Sequence, residues 1–268
     1  NESRYLSNID MIRDHLDQGE SYEVCLTTAF RTQKNDHTQS GVLPIPPLPL
    51  YMTLRGINPA PFSAYLRIDP SRLTCIPNNE KEDAMGKNGF AICCSSPERF
   101  LKVTNNSTIE VCPIKGTAAR NLINAELDAE AGLALSNSEK DQSENLMIVD
   151  LMRNDLSRVC VPASVRVPKL MELQTFASVH HLTSTIIGTL GKLSDGIAAV
   201  ASSWPPGSMT GAPKVRTMRI IDELEQTRSR GVYSGAIGFF SINGAVDLNV
   251  VIRTATLNRH GEVSIGAG

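Results

Sequence analysis

The chain has 268 residues, 41% of them hydrophobic, and a formal charge of −2. It can therefore bury a sizeable core, but it offers no global positive field to nucleic acid or an anionic membrane, so neither partner is expected. No apolar run reaches the ~20 residues that span a bilayer, and the six cysteines (Cys25, Cys75, Cys93, Cys94, Cys112 and Cys160) form no C-x-x-C pair, which argues for reduced thiols and against zinc.

Residues 6–19 read as a helix, with Leu6, Ile9, Ile12 and Leu16 at three- and four-residue steps and Gly19 at the C-terminal end. A strand follows over 21–31, then a polar and proline-rich loop over 33–49. Ser63–Ile68 and Phe90–Cys94 read as buried strands around a charged surface insertion at 78–88. Residues 99–104 and 108–113 alternate as a strand pair about Asn105-Asn106. The segment 121–155 reads as mostly helical, 162–168 as a strand or extended link, and 183–190 as a strand. Pro213–Glu225 reads as a helix with Val215, Met218, Ile221 and Leu224 on one face. Strands are expected over 233–241 and 249–257, joined through Asn243-Gly244, with a last strand from Val263. This mixed order predicts an α+β fold.

Several segments could carry chemistry, and each has a plain structural alternative. Lys115, in Pro113-Ile114-Lys115-Gly116-Thr117, sits at a strand end among apolar residues. Burial disfavours the ammonium and would make a nucleophile. Read locally, the surface turn residue is the better reading, because lysine before glycine is common at strand ends. The hairpin about Asn105-Asn106 would bring Glu98 to the same end of the sheet as Lys115, as an acid beside a nucleophile or as half of a salt bridge. Asp141 and Glu144 share a helix face that suits a hard cation, or they complement the helix dipole. Gly207-Ser208-Met209-Thr210-Gly211 precedes a helix start, which could be an anion site or an ordinary cap. Arg253 interrupts an apolar strand, where it needs a carboxylate partner from a ligand or from the protein. Tyr233 could be core or a phenol donor.

Taken together and in order, these segments resemble the chorismate-utilising enzymes: anthranilate synthase component I, aminodeoxychorismate synthase component I, and the isochorismate and salicylate synthases. The resemblance is carried by Ser96-Pro97-Glu98-Arg99-Phe100, Pro113-Ile114-Lys115-Gly116-Thr117, the run Glu144 to Asp155, Val179-His180-His181-Leu182, Gly207 to Lys214, Gly231-Val232-Tyr233-Ser234-Gly235, Ile252-Arg253-Thr254 and Gly266-Ala267-Gly268. Lysine at 115, where enzymes like anthranilate synthase usually carry alanine, makes the aminodeoxychorismate synthase branch the nearest.

The resemblance implies a layered α/β/β/α sandwich of the anthranilate synthase component I type. It implies that Lys115 attacks chorismate and Glu98 acts as general acid. Mg²⁺ would be held by Glu144, with Asp141 acting through water. Arg253, Tyr233 and the backbone of Gly266, Ala267 and Gly268 would receive the enolpyruvyl carboxylate. Gly116, Thr117, His181 and Thr210 would line the ring pocket, and Lys214 would add positive potential. Ammonia would come from a glutamine amidotransferase domain or subunit. The expected product, 4-amino-4-deoxychorismate, lies on the route to p-aminobenzoate and folate. A cytoplasmic or plastid location is expected. So is a fragment, 1–268, of a longer protein that continues into a C-terminal metal-ligand segment. Glu23 stands where many members have glutamine and is placed only in the neighbourhood of the site. Two other readings stay open: another chorismate enzyme, chiefly anthranilate synthase, and a non-catalytic chorismate-binding regulatory module.

Overall fold

A computed structural model of the chain describes residues 2–32, 46–68, 89–192, 195–226, 228–258 and 262–268. The expected insertion at 78–88 and most of the expected loop at 33–49 lie outside these residues. The chain divides into two compact units. The first takes Asn1–Leu26, Glu98–Ser229 and Gly235–Val250, and the second takes Thr27–Pro97, Arg230–Ser234 and Val251–Gly268.

The first unit begins with helix α1 (Glu2–Asp17), which closes at Gly19 in a left-handed conformation. Its apolar stripe buries Ile12 against Leu26, Ile220 and Leu224, with Ile9 and Leu16 packed beside them. Strand β1 (Glu23–Val24) pairs with β10 (Gly211–Ala212). Gly211 is required there: a Cβ would lie 1.9 Å from the Glu23 carbonyl oxygen.

The main sheet of this unit is antiparallel. It is built from β5 (Arg99–Val103), β6 (Thr108–Val111), β7 (Ile114–Ala119), β8 (Arg166–Thr175), β9 (Val179–Thr189), β11 (Ala236–Phe240) and β12 (Val246–Val250). Strands β6 and β7 run in succession along β9, with Val111 opposite Ile186 and Ile114 opposite Thr183. The pairing then slips, and Thr117 lies opposite His181. One extra residue in β7 forms a bulge at Lys115-Gly116, with Gly116 at φ 87°.

Helices α3 (Ala125–Ser136) and α4 (Glu139–Ser157) start at side-chain caps. The Asn124 carboxamide accepts from Glu126 and Leu127, and the Ser138 hydroxyl accepts from Asp141. Helix α4 buries Asn145, Ile148, Val149, Met152, Asp155 and Leu156, spaced three and four apart. Asn145 fixes it on β9, donating to the Leu182 carbonyl at 3.3 Å and accepting from the Ser184 hydroxyl at 2.5 Å. Helix α5 (Gly196–Ser203), which the sequence reading did not foresee, and α6 (Lys214–Glu225) complete the unit. The buried residues of α6 are Thr217, Ile220, Ile221 and Leu224, whereas Val215 and Met218 are exposed. The expected face was therefore rotated, because the Thr217 methyl and the adjacent pair of isoleucines outweigh the two residues chosen on hydrophobicity.

The second unit is a five-stranded antiparallel sheet in the order β2 (Thr28–Arg31), β14 (Val263–Ala267), β13 (Thr254–Asn258), β4 (Phe90–Ser96), β3 (Phe62–Ile68). Helix α2 (Pro47–Ile57) covers it through Tyr51, which packs with Ala91, Cys93, Ala255 and Leu257. The end of the expected loop is thus helical. Prolines 47 and 49 lie in the first turn, where backbone N–H groups have no intrahelical partner to lose.

Two expected strands are each divided between the units. The run 21–31 becomes β1 and β2, and the run 249–257 becomes β12 and β13 with a break at Val251–Arg253. Both breaks fall within apolar stretches, so periodicity carries no sign of them. The expected α+β fold class is the one observed. No described helix is long and apolar enough to cross a membrane.

Candidate active site

Lys115 projects from the β7 bulge, with 17% of its side chain exposed, and its ammonium donates to the Glu23 carboxylate from β1. Glu98 directly precedes β5 and is only 5% exposed. Its backbone carbonyl accepts from Val250 at 3.1 Å. The hairpin register (Lys102 opposite Glu110, Val103 opposite Ile109) carries Glu98 back to the level where β7 begins. Burial pushes the Glu98 carboxyl up to about 7, while the nearby Ser208 hydroxyl and the charge of Lys115 pull it down. The first unit therefore brings Lys115 and Glu98 into electrostatic reach of each other. At neutral pH Glu98 is therefore poised between its acid and carboxylate forms, so that it can supply a proton.

Gly116 follows at the bulge, and a Cβ there would lie 3.0 Å from both Cβ and Oδ1 of Asp141 and from Leu135. Helix α4 thus presses Asp141 onto the backbone beside the lysine. Thr117 Oγ1 and His181 Nδ1 lie 2.9 Å apart across β7 and β9, and the His181 ring meets the edge of Phe176. Thr210 is buried and donates to the Pro206 and Gly207 carbonyls at 3.2 and 3.3 Å. The Gly207–Met209 segment is a single 3₁₀ turn leading into β10, so it does not open a helix directly. Lys214 Nζ donates to Asp155 at 2.5 Å and to the Ser203 carbonyl at 2.9 Å. Its charge is therefore already taken up inside the protein.

Glu144 is half-exposed on α4, with Lys140 3.7 Å away. Among the described residues, no group of three or more His, Cys, Asp and Glu converges as a complete metal cage. Asp141 and Glu144 offer two hard carboxylate donors three residues apart on one helix. That partial set fits Mg²⁺, which keeps several waters and completes its shell with substrate oxygens.

The second unit carries the remaining candidates. Arg253 is exposed, at φ 49°, and among the described residues its guanidinium makes no hydrogen bond or ion pair. It lies at the break between β12 and β13, so the premise of an arginine buried within a strand does not hold. Its carbonyl accepts from Ser95 at 3.1 Å. Gly266 and Ala267 belong to β14, not to a turn. They pair with Ala29 and Thr28, while the pairing to β13 ends at Ile265. The Tyr233 ring covers Gly266 so closely that a Cβ there would lie 2.1 Å from its Cγ. Gly268 follows β14 and is exposed.

The pattern for chorismate binding enzymes matches residues 1–268 of the chain. The chain belongs to the chorismate-binding enzyme family. Among curated relatives of this family it is 47% identical, over 98% of its length, to a protein of Oryza sativa subsp. japonica named probable aminodeoxychorismate synthase, chloroplastic. It is 39% identical, over 99% of its length, to aminodeoxychorismate synthase component 1 of Escherichia coli K12. The chain spans 26% of the first relative and 51% of the second. Anthranilate synthase component I of Streptococcus pneumoniae superposes with a TM-score of 0.78 at 30% identity, over all of this chain and 52% of that one.

Two residues of this chorismate-binding enzyme gain weight beyond the sequence reading. Glu23 contacts the candidate nucleophile from 92 positions away, a pairing set by the β1–β10 ladder and without a local signal. Ser208 acts on Glu98 but reads in sequence as a cap. The assembled first-unit group is an amine, a buried acid raised to about 7 and a second carboxylate, a set that can serve amine attack with loss of hydroxide.

Proposed function

We propose that the chain catalyses the chemistry of aminodeoxychorismate synthase, converting chorismate and ammonia to 4-amino-4-deoxychorismate. The observation that carries this reading is Lys115 at the β7 bulge, within electrostatic reach of a buried Glu98 whose carboxyl is pushed up to about 7. The Lys115 amine attacks ring carbon C2 as the C4–O bond breaks, and Glu98 gives its proton so that hydroxide departs as water. Ammonia then attacks C4 and the lysine leaves C2. A glutamine amidotransferase domain or subunit supplies that ammonia. The names of the relatives support this branch.

In this reading Thr117 and His181 form one wall of the ring pocket beside Gly116, and Thr210 rigidifies the turn that carries Ser208. Lys214 holds that region together through Asp155 and contributes little field to the substrate. Arg253 and Tyr233, with the backbone of Gly266, Ala267 and Gly268, receive the enolpyruvyl carboxylate. The exposed guanidinium fork and the edge of β14 beyond Ile265 suit that task. Glu144 and Asp141 would hold Mg²⁺, which when bound supplies orientation and charge neutralisation for the ring carboxylate. The relatives of plants carry chloroplastic names, and a plastid or cytoplasmic setting, with reduced thiols, is proposed here.

The test is the product. Chorismate and an ammonium salt should yield aminodeoxychorismate. Anthranilate formed without an added lyase would assign the chain to the anthranilate synthase branch. Tight chorismate binding with no turnover in the full-length protein would instead favour a regulatory module.

A further inference from the structure

We propose that Glu23 is the proton acceptor that frees the Lys115 amine for attack, a catalytic duty separate from that of Glu98. The proposal rests on the reading that Lys115 is the nucleophile. An ammonium has no lone pair, so the step needs a base in contact with Nζ before the C2–N bond can form. Glu98 cannot be that base, because it must enter the step with its own proton in order to release hydroxide as water. The group in contact with Nζ is the Glu23 carboxylate.

Three further observations fit this duty. The Glu23 side chain is 21% exposed and the Lys115 side chain 17%, so a ring seated over them would exclude most of the remaining water. Removing water penalises both charges at once, and one proton passing along the contact removes both. Lys115 is the one side-chain donor to Glu23 among the described residues, and its Oε2 is buried without a partner. The backbone of Glu23 is also fixed: β1 is locked to β10 by the Glu23–Ala212 pairing and by the close approach of Gly211. Among the described residues, Glu98, before β5, and Asp141, pressed on Gly116 from α4, are further ionisable groups near the pair.

The protons balance over a turnover. Lys115 gives one to Glu23 Oε1, the C2–N bond forms, and the departing hydroxide takes one from Glu98. The adduct nitrogen keeps its two protons and leaves as a neutral amine when ammonia attacks C4. Glu23 then returns its proton to Lys115, and the new C4 ammonium reprotonates Glu98.

The test follows adduct formation by intact mass in the full-length protein, with chorismate and without ammonia, while chorismate affinity is measured by equilibrium titration. Glu23→Gln should slow adduct formation by about a hundredfold or more, the lower range for a positioned base, with affinity retained. Glu23→Ala should regain rate when formate is added, because the small carboxylate can occupy the vacated space. An undiminished rate in Glu23→Gln, or a slow Glu23→Ala that formate does not restore, overturns the base role and leaves Lys115 as nucleophile. No adduct in the unsubstituted protein overturns the nucleophile itself. Should the Gln and Ala variants not fold, Glu23→Asp must slow the adduct step by retracting the carboxylate, and an unchanged rate there also overturns the proposal.

Discussion

The Lys115 ammonium lies on the Glu23 carboxylate, while Glu98 acts on it only through space. The resting lysine is thus held in a charged contact at the rim of a buried acid. A bare amine in an apolar pocket, as its sequence neighbours suggest, is not the observed arrangement. The division of labour between two carboxylates follows from their surroundings: one is buried and pushed up to about 7, and the other faces a cation.

Glu98 gives a pH prediction with a defined sign. Its carboxyl is raised from 4.5 to about 7 by burial. Between those values the folded protein binds a proton that the unfolded chain does not, so stability falls as pH rises through this window. The effect is roughly 3 kcal/mol, taking ~1.4 kcal/mol per unit. Glu98→Gln should remove that slope and be the more stable protein at pH 8, measured by urea unfolding at pH 5 and pH 8. Turnover of the unsubstituted protein should decline above about pH 7 as the acid form is lost, and Glu98→Gln should lose turnover at every pH.

Gly116→Ala should be destabilised by about 1–3 kcal/mol, because the backbone is left-handed there and the new methyl meets Asp141 and Leu135. The displaced Asp141 should also weaken Mg²⁺ binding in a calorimetric titration. A variant with unaltered stability and metal affinity would show that the bulge is not what sets Asp141.

Lys214→Met strands the carboxylate of Asp155, which burial already pushes up and which Lys214 holds down. The expected loss is about 3 kcal/mol or more of stability, as for a buried pair with one partner removed. Lys214→Met with Asp155→Leu should recover most of it. A raised KM at undiminished stability would instead return Lys214 to the substrate.

Gly266→Ala forces the Tyr233 ring off β14. Chorismate affinity should fall by about tenfold or more, equivalent to ~1.4 kcal/mol, in an equilibrium titration, with the near-UV circular dichroism of tryptophan unaltered. Unchanged affinity would remove the Tyr233–Gly266 contact from the substrate site.

Much of this arrangement was legible in the sequence, for identifiable reasons. The hairpin about Asn105-Asn106 let Glu98 and Lys115 be placed together from local pattern, whereas β7 and its bulge were not foreseen, because the strand was expected to end at 113. The Asp141–Glu144 spacing gave the acidic face of α4 directly. Glu23 was not legible as a partner, because the β1–β10 ladder joins segments nearly two hundred residues apart. The division of 249–257 at Arg253 was hidden by unbroken hydrophobicity on both sides. Lys214 read as available charge because Asp155 meets it through tertiary packing of α4 and α6, which no local pattern reports.

The most direct measurement is peptide mapping after chorismate is mixed with the protein in the absence of ammonia. The account predicts a gain equal to chorismate less one water, located on Lys115 and missing from Lys115→Ala, which should form no aminodeoxychorismate. Product formed by Lys115→Ala, or mass found on any other residue, would contradict it.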